Sequence, residues 1–329
     1  MQDLNILITS GGVETALNII KCLKKSAFNC RIITADMDPH SLGQYFSDIN
    51  YLTPKATEEN FISEIIKIAH KEKIDFIFPC HSSEIAVFCS AKSSFESEGV
   101  GLILPHSSAE ETCSNKKKFI EFLGKNNFNS AKTFQSFDRV HNFPIFIRPI
   151  TGSSSSGAIL IGCKSQITKE QIANQHNLII QEYIAAPEVT IDAYRNSAKG
   201  FFACIPRIRQ KVKDGKSIIA ETVDDINILM LAKNLLERLE FDGACNIQLF
   251  LDEDLKIIEI NPRMSAGGLL LACEAGLNIP ELMLRDYLSM PLPNLQPPSK
   301  PIKMVRYLDE IFLYYLSEIY QILKQRKVI

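Results

Sequence analysis

Over its first 110 residues the chain alternates short β-rich runs with helical repeats, and this alternation restricts the fold more than any other feature. Asn5–Thr9 is a strand-like run broken by Ser10-Gly11-Gly12, after which Ala16, Leu17, Ile20 and Leu23 recur at helical spacing. Cys30–Ala35 reads as a second strand ending at Asp36. Thr57 is placed to cap a helix carrying Phe61, Ile65, Ile68 and Ala69 on one side. Ile74–Phe78 and Gly101–Leu104 read as further strands flanking another helix. Strands joined by helices pair in parallel, so a doubly wound α/β unit is expected.

Laid on the dinucleotide pattern G-x-G-x-x-G, the first turn places Ser10, Gly12 and Thr15 at the glycine positions, with Asp36 where a ribose-binding acid would sit. One glycine of three favours a turn that needs glycine for its backbone over a nicotinamide site. Pro79-Cys80-His81-Ser82-Ser83-Glu84 follows a parallel strand, where such sheets place ligand contacts. His81 and Glu84 are therefore candidate substrate contacts, with an ordinary surface loop as the competing assignment.

At 329 residues, 46% hydrophobic and 22% charged, the chain can build two or three packed units. Its net charge of −2 argues against nucleic acid as the main partner, because neutralising phosphates needs a basic surface. Leu4–Thr9 is too short for a secretory leader, and no run approaches the roughly 18 apolar residues of a membrane span. Nine cysteines without a C-x-x-C pair and six scattered histidines indicate neither disulfides nor zinc. Buried free thiols in a reducing cytoplasm are expected.

Past Pro105 the pattern changes. Asn115 begins a helix that stops at Gly124, and its first turn is Lys116-Lys117-Lys118. A lysine run there reads first as a solvated face, and its opposition to the helix dipole makes a nearby anionic ligand the alternative. Phe143–Pro149, a loop from Ile150 to Gly157 and the run Ala158–Ile161 read as strand, small-residue loop, strand. Such a loop can fold over phosphates, and Arg148 supplies a cation beside it. Ala244–Leu251 and Leu255–Asn261 read as a hairpin. With Glu253-Asp254 as its turn, Gln248 lies opposite Glu259 and Asn246 opposite Asn261 on one face, while Cys245, Ile247, Leu249, Ile258 and Ile260 form the core face. Clustered hard oxygens suit Mg²⁺, and a half-exposed amphipathic hairpin is the alternative.

In order, Asn115-Lys116, Phe143–Pro149 with its Ser/Gly loop, Ile180–Ile184, Glu188–Asp192, Gln248 and Glu259-Ile-Asn-Pro-Arg263 resemble the ATP-grasp superfamily, most nearly proteins similar to the carbamoyl phosphate synthase large subunit. The order and spacing carry this resemblance, and residues 1–110 look like the α/β domain that precedes an ATP-grasp fold. It implies an ATP-grasp domain over 111–295, built from α+β subdomains at about 111–185 and 186–295. A tail, 296–329, would pack as a strand (Met304–Leu308) and a helix (Leu316, Ile319, Tyr320, Leu323) on the body or on a second subunit in a homodimer.

The resemblance also implies a cytoplasmic, ADP-forming carboxylate–amine ligase using ATP with Mg²⁺ or Mn²⁺. Its partners would be a small carboxylate and an amine, not nucleic acid or membrane. Lys116 and Arg148 would hold the phosphates, covered by Gly152, Ser153, Ser154, Ser155, Ser156 and Gly157. Glu182, Tyr183 and Ile184 would line adenine, and Glu188 would take the ribose hydroxyls. Gln248, Glu259 and Asn261 would bind the metal, and Arg263 would steady the transferring phosphoryl group. Arg207 and Arg209 fall where relatives place an arginine near the γ-phosphate or acyl group, and Ser265 to Gly268 would line the acceptor site. Two departures stand out: Arg148 occupies a position that is lysine in most relatives, and the metal set has one carboxylate instead of two. The competing implication is an accessory or sensor protein that binds nucleotide without ligating anything.

Overall fold

The computed structural model describes residues 2–104, 107–150, 157–213, 215–295, 298 and 300–313. The N-terminal sheet contains β1 (Asp3–Thr9), β2 (Asn29–Asp36), β3 (Ile49–Leu52), β4 (Phe76–Phe78) and β5 (Gly101–Leu102). All are parallel, in the order β3-β2-β1-β4-β5, as the alternation requires. Central β1 buries Ile6, Leu7 and Ile8 in succession, because helices cover both faces of a parallel sheet. No apolar run marks β3, an edge strand whose four residues are all at least partly exposed. Phe61, Ile65, Ile68 and Ala69 are buried as expected, but their helix, Phe61–Glu72, starts after Asn60 and has no side-chain cap. Thr57 is not its N-cap; it lies in the turn ahead of the helix.

The next sheet is antiparallel: β6 (Thr133–Phe134), β7 (Ile145–Pro149), β8 (Ile159–Ile161) and β9 (Leu178–Glu182), ordered β6-β9-β7-β8. The largest sheet comprises β10 (Glu188–Asn196), β11 (Phe201–Lys213), β12 (Lys216–Thr222), β13 (Gly243–Phe250), β14 (Ile257–Asn261) and β15 (Lys303–Val305). Its order is β14-β13-β10-β11-β12-β15, also antiparallel. Helices Lys116–Lys125 and Ile226–Arg238 cover one face, burying Phe119, Leu123, Ile228 and Leu235 against Val189, Ile191 and Ile247. A second core joins this part to the parallel sheet, with Leu269, Ala272 and Leu282 packed among Ile6, Ile8, Ala16 and Ile20. The tail strand covers only Lys303–Val305, short of the expected Met304–Leu308, and Tyr307 and Leu308 are exposed. Leu316, Ile319, Tyr320 and Leu323 lie outside the described residues. No helix among the described residues is long and apolar enough to cross a membrane.

Candidate functional site

Two adjoining cavities share Gln248, Glu259, Arg209 and Gly215 in their walls. The larger, about 470 Å³, lies between the four- and six-stranded sheets and is lined by Lys116, Arg148, Glu182, Tyr183, Ile184 and Glu188. The smaller, about 110 Å³, is polar and lined by Arg207, Lys216, Asn246, Asn261, Arg263 and Ser265. The first has the size of a small-ligand site. A hollow of about 710 Å³ elsewhere, between Phe201–Pro206 and Leu292–Leu295, holds none of the residues selected from sequence, so size alone does not locate the chemistry.

The β13–β14 hairpin supplies the shared wall. Gln248 pairs with Glu259 and Asn246 with Asn261, the register expected from the strand pattern. The connection differs from expectation: β13 stops at Phe250 and β14 begins at Ile257, not on either side of Glu253-Asp254. Glu and Asp do not favour the positive φ that a two-residue turn demands. A wider loop forms, closed by Phe250 N–H to Lys256 O at 2.9 Å and by Lys256 N–H to Asp252 at 3.1 Å. A register shift after Gln248 then pairs Leu249 with Ile257. Ile257 therefore takes the core position expected for Ile258, which is half-buried and faces the larger cavity.

Asn261 Nδ2 donates to Glu259 Oε1 at 3.1 Å and to Asn246 Oδ1 at 3.2 Å. Both amide protons are thereby used, leaving Asn261 Oδ1 as an acceptor beside the Glu259 carboxylate and Gln248. A carboxylate with two amide oxygens is a hard donor set that fits Mg²⁺. Arg148, in β7, is buried and donates Nη2 to Ile258 O at 3.0 Å and Nη1 to Glu259 at 3.4 Å, while its Nε has no partner. Burial pulls its guanidinium below its ordinary pKa, opposed by Glu259 and then Glu188. Lys116 opens the helix that Asn115 caps through the N–H groups of Lys117 and Lys118. Burial lowers its ammonium pKa, against Glu259 and with Arg148. Arg263 is likewise lowered by burial against Glu259. Three cations thus converge on one carboxylate, a field suited to polyanions.

Glu188, first residue of β10, pairs with Arg209 of β11. Glu182 accepts from the Lys132 N–H at 3.0 Å, and Tyr183 N–H donates to Pro144 O at 3.3 Å, fixing the strand end that lines the larger cavity. Gly157 has φ +74°, and a Cβ there would lie 2.9 Å from Pro149, so glycine is required where the loop rejoins β8. Gly152, Ser153, Ser154, Ser155 and Ser156 lie outside the described residues. Arg207 is buried against Asp192 and rests on Gly268, where a Cβ would overlap its guanidinium.

The N-terminal candidates fall elsewhere. Asp36 accepts from Gly12 N–H at 2.8 Å, Asp38 N–H at 2.9 Å and Ser41 Oγ at 3.0 Å, so its carboxylate secures the glycine turn. His81 is exposed and caps helix Ser82–Ser90. Glu84 is buried with Thr9 Oγ1 at 2.7 Å, and burial raises its carboxyl above the usual range. No disulfide joins cysteines among the described residues; Cys22, Cys80, Cys113 and Cys245 are buried as expected, whereas Cys163 is exposed.

Residues 174–310 match the family model described as ATP-grasp in the biosynthetic pathway with Ter operon. Residues 6–103 match the PylC-like N-terminal domain. Residues 174–310 thus belong to an ATP-grasp domain. The chain is 22% identical over 277 residues to the arginine-specific carbamoyl phosphate synthase large chain of Bacillus subtilis, covering 77% of this chain and 26% of that one. It is 26% identical over 247 residues to a formate-dependent phosphoribosylglycinamide formyltransferase of Prochlorococcus marinus, covering 67% and 61%. The chain thus spans less than two thirds of either relative. Among solved structures, the ADP complex of an N5-carboxyaminoimidazole ribonucleotide synthetase superposes with TM-score 0.72 at 16% identity, over 99% of this chain and 86% of that one. Biotin carboxylase from Campylobacter jejuni, solved as a β,γ-ATP complex, gives 0.69 at 18%, over 88% and 72%. These likenesses establish the fold.

In this chain, sequence reasoning overlooked Thr190 and Lys216, which line the smaller cavity, and Asp192, which holds Arg207. A signal existed for two of them. Glu188, Thr190 and Asp192 alternate along one face of β10, and the pairing of β10 with β13 sets Thr190 opposite Gln248 and Asp192 opposite Asn246.

Proposed function

We propose that this chain is an ATP-dependent ligase that activates a carboxylate as an acyl phosphate and passes it to an amine. The observation carrying this reading is the shared wall of the two cavities. A nucleotide in the larger one, with its base against Tyr183 and Ile184 and its ribose at Glu188, would present its terminal phosphate at Gln248 and Glu259. The carboxylate would wait in the smaller one. Names among the similar proteins support the reading: one depends on formate, and one structure holds ADP.

Lys116 and Arg148 would hold the phosphates, and Arg263 would face the transferring phosphoryl group. Glu259, Gln248 and Asn261 would hold Mg²⁺, whose charge would offset that of the phosphates. In the first step a carboxylate oxygen bonds to the γ-phosphorus and the bond to ADP breaks. In the second the amine nitrogen bonds to the acyl carbon, phosphate leaves, and the nitrogen loses a proton. No protein nucleophile is required: the side chains position the reactants and neutralise charge. The loop 152–157 would keep water from the acyl phosphate.

Incubation with Mg-ATP, hydroxylamine and a panel of carboxylic acids tests the proposal. A hydroxamate formed in step with ADP supports it and identifies the acid. Tight ATP binding with neither product across the panel would favour the sensor reading instead.

A further inference from the structure

In the loop from Ser265 to Gly268, between β14 and helix Leu269–Glu274, Ser265, Ala266 and Gly267 line the smaller cavity. The loop residues, Ser-Ala-Gly-Gly, carry almost no side chain to pack, so hydrogen bonds must set the loop's position. One is internal, Gly268 N–H to Ser265 Oγ at 3.1 Å. The Ala266 carbonyl takes two more from remote parts of the chain. Asn18, buried in helix Glu14–Leu23, donates Nδ2 at 2.8 Å. Arg306, just past β15, donates Nη2 at 2.8 Å.

Arg306 is itself held. Its backbone N–H donates to Ile218 O at 2.9 Å, and its Nη1 pairs with Glu14. The other Glu14 oxygen pairs with Lys216 at 2.8 Å, and Lys216 lines the same cavity. The N-terminal helix, the acceptor loop and the tail therefore meet at a single carbonyl. We propose that Arg306, oriented by Glu14, is a positioning residue that fixes the 265–268 loop across the smaller cavity, where the carboxylate would wait. The tail strand is then part of the catalytic apparatus. The catalytic half of this inference rests on the ligase reading; the fixing of the loop does not.

Amide hydrogen exchange on the full chain separates these roles. In Arg306→Ala, peptides spanning 263–268 should exchange about tenfold faster, the effect of losing one charge-assisted hydrogen bond. Peptides spanning 216–222 and β14 should keep their protection. Glu14→Ala, which frees Arg306 without removing it, should give the same pattern and guards against an Arg306 variant that misfolds. In the hydroxamate assay, Arg306→Ala should raise KM for the acid about tenfold and leave KM for ATP within twofold, with Arg306→Lys recovering part of the loss. Faster exchange at 216–222 with an unchanged loop would overturn the proposal, because Arg306 would then only staple the edge strand. A deprotected loop with unchanged KM for the acid would overturn its catalytic half. If no acid yields hydroxamate, the ligase reading fails while the exchange result still decides the loop.

Discussion

Glu259→Ala separates chemistry from architecture at the centre of the site. The Glu259 carboxylate accepts from Arg148 at 3.4 Å and from Asn261 at 3.1 Å. Its removal leaves the buried Arg148 guanidinium with the Ile258 carbonyl as its remaining hydrogen-bond partner among the described residues. Breaking a fully buried ion pair costs about 3–5 kcal/mol. Here the contact is long and the Glu259 side chain is 25% exposed, so water screens part of the loss and about 1–2 kcal/mol is expected. In a chain of this size that lowers Tm by about 1–3 °C. The loss of turnover should be far larger. Glu259 is the single carboxylate in the proposed metal set, and losing it should reduce ATP turnover at least about 10³-fold, equivalent to about 4 kcal/mol in the barrier. Coupled detection of ADP and scanning calorimetry on the same preparation measure both quantities. Wild-type turnover in a folded Glu259→Ala protein would refute the assignment. A drop in Tm large enough to account for the lost activity would refute the separation.

Glu188→Gln should raise KM for ATP about tenfold with kcat nearly unchanged, and steady-state kinetics showing the reverse split would remove its ribose role. Asp192→Ala should lower stability by about 3–5 kcal/mol, because Arg207 is then buried without its counter-ion; an unshifted urea midpoint would contradict this. Burial raises the Glu84 carboxyl, so the native state keeps a proton that the unfolded chain releases near pH 4.3, at roughly the ordinary glutamate value. That contribution is complete below the unfolded pKa and is lost as pH rises through the folded one. Glu84→Gln should therefore flatten the fall in Tm on the alkaline side of about pH 4, and superimposable profiles would show that Glu84 does not titrate as described.

The elements that depend on local pattern were legible in the sequence. Parallel strands joined by helices, the Asn115 cap and the pairing of Gln248 with Glu259 follow from period-two and helical spacing, which short-range sterics enforce. Two kinds of information were not local. Edge strand β3 lacks the apolar run that marks a buried strand. The bulge that exchanges Ile258 for Ile257 follows from how the hairpin loop closes, and the six residues between the strands do not display it.

For the site, the sequence by itself determined which cations and oxygens the chain possesses and set Gln248, Glu259 and Asn261 on one face, because alternation along paired strands fixes faces. Only the tertiary structure decided what these residues meet. It placed Arg148 of one sheet against Glu259 of another, 111 positions away, and assigned Asp36 to a turn instead of a ligand. It also brought Glu14, Ala266 and Arg306 to one point. The physical reason is the range of the interactions. Backbone sterics and hydrophobic period act over a few residues, whereas ion pairs and carbonyl contacts between sheets exist only after the sheets have docked through a shared apolar core.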